Sequence, residues 1–262
     1  MAGEATLFLI GTPIGNLEDI SARALRVLGE IDALACEDTR RTRKIYEHFK
    51  LSSPRIIFAC ADHNEENASK RIVTLLGQGL SVGLATDAGM PSISDPGYRA
   101  VRAALEAGHR IEVIPGPSAV ATALALSGLS AASYTFLGFA PRKPGKLRNA
   151  LKADAELDHT LVFFESPHRT GALLTAALEV FGDRRAAVCI ELTKMFEETA
   201  RGWLSELAER FSAEEPRGEV TVVIAGNNPK FMRTAEEAQA AREADAQAKA
   251  EAEAEAETDE VS

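Results

Sequence analysis

Strand-like and helix-like stretches alternate along almost the whole chain, and this alternation limits the possible folds more than any other feature. TLFLI precedes ISARALRVLGEI, DALACE a basic helix start, RIIFA the segment NEENASKRIVTLLGQG, and LSVGLATD the segment PGYRAVRAALEAG. HRIEVIP then leads into SAVATALALSG, and beyond FAPRKPGK the pattern resumes with HTLVFFE, HRTGALLTAALEVFG, RRAAVCIE, WLSELAERF and EVTVVIAG. Short apolar runs alternating with amphipathic segments predict an α/β protein whose ligands sit beyond the carboxyl ends of strands. The 262 residues have room for two such domains, expected over residues 1–120 and 121–230 and joined near residues 116 to 135. The cleft between them is the default ligand site.

Charge divides the chain differently. Residues 231–262 carry three basic and ten acidic residues, so most of the net charge of −10 lies there, leaving 26 basic against 29 acidic residues upstream. This Ala/Glu-rich stretch without Trp or Tyr cannot bury enough apolar surface to hold a fold and is expected to be a disordered acidic tail. No apolar run approaches the roughly 20 residues of a membrane span, and MAGEA lacks the features of a signal peptide, which predicts a cytoplasmic protein without a membrane partner. Cys36, Cys60 and Cys189 are too dispersed for a zinc knuckle and odd in number for a disulfide framework. The five histidines show no ligand spacing, so no metal is expected.

The turns after the strands hold the unusual residues. Gly11, Thr12, Pro13, Ile14, Gly15 and Asn16 have the strand–turn–helix outline of a nucleotide site without its phosphate logic. Pro13 removes an N–H where an anion would need one, and no Lys-Ser/Thr pair follows Gly15. In TDAGMPSISDPG, Asp95 is read as the N-cap of the next helix with Pro96 at its first position, whereas Asp87 and Ala88, which no cap requires, are read as facing a ligand. In PGPSA, Ser118 caps a helix of small residues, faces a ligand, or does both. CEDTRRTRK sets Glu37 and Asp38 beside Arg40, Arg41, Arg43 and Lys44, with residues 40, 43 and 44 on one helical face. FAPRKPGKLR supplies Arg142, Lys143, Lys146 and Arg148. Two basic loops on a nearly neutral core point to local recognition of an RNA backbone. ESPHR lacks the context of a hydrolase elbow around Ser166, and His168 and Arg169 beside it are read as RNA contacts.

Taken in order, GTPIGNLEDISARAL, ACEDTRRTRKI, DHNEEN, TDAGMPSISDPGYRAV, VIPGPSAVATALALSGL, FFESPHR, ELTKMFEE and RGEVTVVIAG resemble the ribosomal small subunit methyltransferase I family. That family belongs to the class III, tetrapyrrole-methylase-like methyltransferases. The resemblance runs from about residue 6 to 226. It implies S-adenosylmethionine bound in a cleft between two α/β domains, a homodimer, and methylation of a cytidine ribose 2′-oxygen in 16S rRNA, with the assembled small subunit as substrate. Tetrapyrrole enzymes commonly carry GxGPG in the first turn and a GDP-type turn after the third strand. Gly11–Gly15 and Thr86–Gly89 depart from both, which favours the rRNA branch over porphyrinoid C-methylation; a non-catalytic ribosome-assembly protein on the same fold is a third reading. The resemblance also implies cofactor contacts at Pro13, Asp87, Ala88, Ile93, Ser118 and Ala119, with Phe164 and Ala225 as weaker additions from the second domain.

Methyl transfer from a sulfonium needs an in-line acceptor and no metal. A ribose hydroxyl benefits from a base or from a cation that stabilises the developing alkoxide. Glu37, Asp38 and Glu65 are the candidate bases or organisers, and Arg40 and Lys194 the candidate electrostatic partners. Each of them also has a purely structural reading as an ion pair or an RNA-backbone contact. Glu191, Lys194 and Glu197 at spacing three would share a helical face and pair with each other.

Overall fold

A computed structural model describes residues 5–234 throughout, together with 236, 237, 240, 243, 244 and 247. The chain divides into two compact units, residues 1–122 with 191–197, and residues 123–190 with 198 onward.

In the first unit, β1 (Thr6–Ile10), β2 (Ala33–Cys36), β3 (Ile56–Ala59), β4 (Val82–Ala85) and β5 (Arg110–Ile114) form one parallel sheet in the order β3-β2-β4-β1-β5. Helices α1 (Ala22–Glu30), α2 (Thr39–Phe49), α3 (Glu65–Gly77) and α4 (Tyr98–Glu106) follow the first four strands, and α5 (Ala119–Ser127) follows β5. Both faces of the sheet are covered, which is why strands β1 to β4 are almost wholly apolar, while the edge strand β5 carries Arg110 and Glu112. Leu7, Leu9, Ala33, Ala35, Val82 and Leu84 pack with Ile72, Leu76, Ala100 and Ala104 of α3 and α4. Ile10, Leu34, Cys36, Ala85 and Ile114 pack with Val27, Leu28, Ile45 and Tyr46 of α1 and α2. Each fully buried Leu or Ile contributes roughly 2 kcal/mol.

The second unit holds β6 (Tyr134–Phe139), α6 (Pro144–Asp154), β7 (Thr160–Glu165), α7 (Thr170–Phe181), β8 (Arg185–Ile190), β9 (Glu198–Trp203), α8 (Leu204–Ala213) and β10 (Val220–Ile224). Its sheet runs β6-β7-β10-β8-β9, parallel at β6–β7 and antiparallel elsewhere. Leu161, Phe163, Val188, Val222 and Ile224 meet Leu147, Leu151, Leu173, Leu174, Leu207 and Phe211 from α6, α7 and α8 in one core.

Three elements have no counterpart in the sequence pattern. Helix α6 begins on Pro144, which suits the first helical position inside what composition marks as a loop. Strand β6 is irregular, with a register shift between Phe136 and Phe139. Strand β9, ETARGW, is a polar edge strand. ELTKMFEE is no helix: Glu191 and Thr193 are left-handed at φ 51° and 65°, so residues 191–197 form a chain of turns. The fold also passes residue 230, because Arg233 pairs with Asp183 at 3.5 Å and Glu206 at 2.7 Å. Beyond residue 234 the acidic tail lies almost wholly outside the described residues.

Helix α4 corrects the reading of Asp95 as its cap. It starts at Tyr98, with Gly97 at φ 141° as N-cap and no capping side chain of its own. Glu65, at the start of α3, supplies the acceptor instead: its Oε1 takes the N–H of Gly97 at 2.8 Å and of Arg99 at 3.0 Å.

Two glycines test the packing of the second unit. A Cβ on Gly171 of α7 would stand 2.6 Å from the Phe211 carbonyl oxygen of α8. Gly171→Ala is therefore expected to lower stability by about 1–3 kcal/mol. Gly145 in α6 has open space around it, so Gly145→Ala should raise stability by about 0.5–1 kcal/mol. Thermal unfolding of both variants checks the pair; equal shifts would contradict the packing.

Candidate active site

The order β4-β1-β5 brings three loops to one edge of the first sheet. β1 connects towards β2 on one side and β4 towards β5 on the other, so β4 and β1 flank the switch point where open α/β sheets bind ligands. Gly11 donates its N–H to the Ile114 carbonyl at 3.0 Å. A Cβ on Gly11 would lie 2.6 Å from Gly116 N, and one on Gly116 would lie 2.8 Å from Gly11 Cα. Thr12 and Gly89 exchange backbone hydrogen bonds of 2.9 and 3.2 Å, and Thr12 Oγ1 donates to the Thr86 carbonyl at 3.1 Å. Pro13, Asp87, Ala88, Ser118 and Ala119 thus lie on three loops tied together through their backbones. Pro13 is buried, the other four are partly exposed, and the Ser118 carbonyl accepts from Thr122 N–H as α5 begins. Ile93 is 50% exposed, between Ser92 and Ser94, which are left-handed at φ 72° and 58°. Left-handed backbone at two non-glycine residues stores strain of the kind that collects at functional sites.

At the neighbouring ends of β2 and β4 the acids interlock. Asp87 Oδ1 accepts from Asp38 N–H at 3.0 Å, and Glu37 Oε2 accepts from Asp87 N–H at 3.2 Å. Arg41 Nε lies 3.4 Å from Asp87 Oδ2. Asp38 is the N-cap of α2, accepting from Arg40 N–H at 2.8 Å, while the Arg40 guanidinium grips both of its oxygens at 3.1 and 2.8 Å. These bonds hold the Asp38 carboxyl down to about 2, which makes it a weak base and an organiser of the helix start. Glu37 is displaced the other way: burial raises its pKa, the Asp87 N–H opposes this, and the Asp87 charge adds to the rise. Asp87 is raised by burial as well, against the Asp38 N–H and Arg41. Glu37 and Asp87 are thus both displaced upward by burial, while Asp38 is displaced downward. Glu65 accepts from the start of α4 and lies 3.7 Å from Arg99.

Residues 191–197 belong to the first unit and lie on its opening turn. Thr193 Oγ1 accepts from Asn16 N–H at 3.1 Å. A Cβ on Gly15 would meet Lys194 Cγ at 2.5 Å and the Leu192 carbonyl oxygen at 2.8 Å. Lys194 Nζ pairs with Glu191 Oε1 at 2.7 Å, the expected partner, reached through a turn rather than along a helix. This docking was not legible in the sequence; the requirement for glycine at position 15 was its one local trace.

In the second unit, Arg142, Arg148, His168 and Arg169 line a cavity of about 480 Å³ beside α7, while Lys143 and Lys146 are exposed at the start of α6. Arg148 pairs with Glu179 at 2.8 Å and His168 with Glu215 at 2.6 Å. Arg169 holds its own loop: it donates to the Ala140 and Pro141 carbonyls at 3.0 Å and sits 3.1 Å from buried Glu165. Its guanidinium is thus engaged inside the unit while remaining partly exposed. Phe164 meets Phe136 and Phe139 edge to face at 4.8 and 5.7 Å, and Ala225 is buried at the end of β10. Among the described residues no three His, Cys, Asp or Glu side chains gather as a metal site, and no helix is long and apolar enough to cross a membrane.

Asp87→Asn keeps an acceptor for Asp38 N–H but removes the charge beside Glu37, so the Glu37 carboxyl should titrate at lower pH than in the wild type. Side-chain carbonyl NMR across a pH series checks this, and a rise would refute the coupling. Gly15→Ala should loosen residues 191–197 by about 1 kcal/mol and speed native-state trypsin cleavage after Lys194 roughly fivefold. An unchanged cleavage rate would contradict the docking.

Known proteins agree with this architecture. The sequence profile of the tetrapyrrole (corrin/porphyrin) methylases matches residues 6–208. The chain is 42% identical to the ribosomal RNA small subunit methyltransferase I of Halalkalibacterium halodurans, over 87% of this chain and 78% of that protein. It is also 42% identical to the protein of that name from Thermotoga maritima, over 84% and 98%. Among solved structures it resembles uroporphyrin-III-C-methyltransferase from Thermus thermophilus, with a TM-score of 0.60 and 20% identity over 85% of this chain and 94% of that one. A diphthine synthase aligns with a TM-score of 0.61 and 18% identity over 85% and 90%. At such identities the structures establish the fold alone, whereas the profile and the sequence relatives settle the lineage: the chain belongs to the tetrapyrrole (corrin/porphyrin) methylase family, on the branch of the ribosomal RNA small subunit methyltransferases I.

Proposed function

We propose that this protein transfers the methyl group of S-adenosylmethionine to the ribose 2′-hydroxyl of a cytidine in the decoding region of 16S rRNA, acting on the assembled small subunit. The observation that carries this reading is the identity of about 42% along more than four fifths of the chain with enzymes named for small-subunit rRNA methylation. The porphyrinoid alternative draws on the name of the broad family profile and on solved structures below 25% identity. Family likeness is also the reason for proposing a homodimer working in the cytoplasm.

The loops at the carboxyl edge suit such a cofactor. They offer backbone groups drawn close by Gly11 and Gly116, and two partly buried acids, Glu37 and Asp87, for a cation. They offer no cradle of N–H groups for phosphate, in keeping with Pro13. Bound S-adenosylmethionine supplies a methyl group already activated on a sulfonium. Pro13, Asp87, Ala88, Ile93, Ser118 and Ala119 are the residues proposed to hold it, with Phe164 and Ala225 as additions from the second unit. Glu37 takes the proton that leaves the 2′-hydroxyl as the oxygen–methyl bond forms. Asp38 with Arg40 holds the start of α2 in place, and Lys194 stabilises the oxygen as it gains charge. Arg41, Arg43, Lys44, Arg142, Lys143, Lys146, Arg148, His168 and Arg169 are proposed to contact the rRNA.

Small subunits from a strain lacking this activity, incubated with the protein and methyl-labelled cofactor, should gain label on 16S rRNA at one ribose, seen as a stop in primer extension at low dNTP. Label on a base would overturn the 2′-O assignment, and no label would overturn the substrate. Asp87→Ala should weaken cofactor binding at least about tenfold by calorimetry, near 1.4 kcal/mol, and unchanged affinity would remove Asp87 from the site.

A further inference from the structure

Most cations of the first unit are paired internally, and those that are not gather at one place. Of its fourteen Arg and Lys residues, nine stand in ion pairs: Arg23, Arg26, Arg40, Arg41, Lys70, Arg99, Arg102, Arg110 and Lys194. Arg71 stacks on the Phe58 ring at 4.3 Å. The four that remain, Arg43, Lys44, Lys50 and Arg55, are consecutive in the chain's order of cations, all exposed, and without an ion pair among the described residues. Three of them, Arg43, Lys50 and Arg55, line one groove of about 690 Å³ between the end of α2 and the start of β3.

The groove is built rather than incidental. Its wall includes Tyr46, 3% exposed and donating to the Leu28 carbonyl at 3.0 Å. Lys50 is left-handed at φ 53°, and Leu51 N–H returns to the Tyr46 carbonyl at 2.9 Å, a tight reversal at the end of α2 that brings Lys50 into the same lining as Arg55. Ser53 adds a hydroxyl, and Glu47 is the one acid in the lining, so cations outnumber carboxylates three to one. Helix α2 has 11 residues, roughly 16 Å at 1.5 Å per residue. It runs from the Glu37–Asp87 cluster to this groove, with Arg40, Arg43 and Lys44 along the way.

We propose that this groove is a docking site for rRNA backbone phosphates, held by Arg43, Lys50 and Arg55, which anchors the strand whose neighbouring stretch lies along α2 towards the methyl-transfer cluster. The proposal rests on the rRNA reading above and adds Lys50, Ser53 and Arg55 to it. A cation already paired with a carboxylate must give up that partner before it meets phosphate. An unpaired one keeps the full gain of counterion release, and three of the unit's four cations with neither a carboxylate nor a ring partner among the described residues line this groove.

The test is the salt dependence of binding to undermethylated small subunits between 50 and 300 mM KCl. Arg43→Ala, Lys50→Ala and Arg55→Ala combined should reduce the slope of log affinity against log salt by about 2 to 3, at roughly 0.7 to 0.9 per phosphate contact. Affinity at 100 mM KCl should fall at least about tenfold, with cofactor affinity unchanged. Combined Arg26→Ala, Lys70→Ala and Arg102→Ala removes the same charge from paired positions and should leave the slope near that of the wild type. Lys50→Arg with Arg55→Lys should keep it too. A groove variant with the wild-type slope, or a control variant that loses as much, would overturn the proposal, as would wild-type protein without affinity for the subunits. Failure of the methyltransferase reading would appear separately, as wild-type protein that binds the subunits but leaves them unmethylated, while the slopes still decide the groove.

Discussion

The first sheet's functional edge depends on the approach of two glycines. Gly11 and Gly116 stand so close that a Cβ on either would fall within 3 Å of the other's backbone. Only with both side chains absent can the turn after β1 lie against the turn after β5. The Gly11 N–H to Ile114 bond and the Thr12–Gly89 bridge then fix the loops after β5 and β4 to the same turn. Position is set by backbone atoms, which have little freedom to move, so the side chains these loops carry inherit a rigid frame. Methyl transfer from a sulfonium depends first on placement of the acceptor, which is the property such a frame supplies.

Beside that frame, electrostatics separates carboxylates that look alike in sequence. Glu37 and Asp38 are adjacent, yet Asp38 caps a helix and is gripped by Arg40, while Glu37 is turned into a partly buried place beside Asp87. Hydrogen bonds to the charged form lower one pKa, and burial raises the other. The contrast separates the two in character, with one gripped at the helix start and the other displaced towards its neutral form.

Much of this was legible in the sequence where it depends on local pattern. Strands β1 to β5 and helices α1 to α5 follow the spacing of apolar residues, and GTPIGN and PGPSA mark the tight turns correctly. What was hidden is non-local. Glu65 caps α4 from the start of α3, a bond between residues 32 apart in sequence, and the local rule pointed to Asp95. Strand β9 is polar because it lies at the sheet edge, where propensity says little. The spacing of Glu191 and Lys194 fits a helix and a turn equally well, and only the left-handed backbone at Glu191 and Thr193 decides between them. Arg169 sits among other cations in sequence, and its role in bracing a loop appears only once Ala140 and Pro141 are near it.

Residues 191–197 show most clearly that a connection can be set by something other than chain economy. They join β8 to β9, antiparallel neighbours whose register pairs Ile190 with Glu198, and a hairpin of that kind closes with two residues. Seven are used, two of them non-glycine residues in left-handed backbone, at a cost of roughly 1–2 kcal/mol each. The longer path brings Thr193 and Lys194 onto Gly15 and Asn16 and leaves Met195 and Phe196 90% and 79% exposed. A connection that needed only to reverse the chain would have neither the strain nor the exposed apolar pair. Its length therefore follows from the opening turn that it covers, and Gly15 is glycine because that cover lies against it.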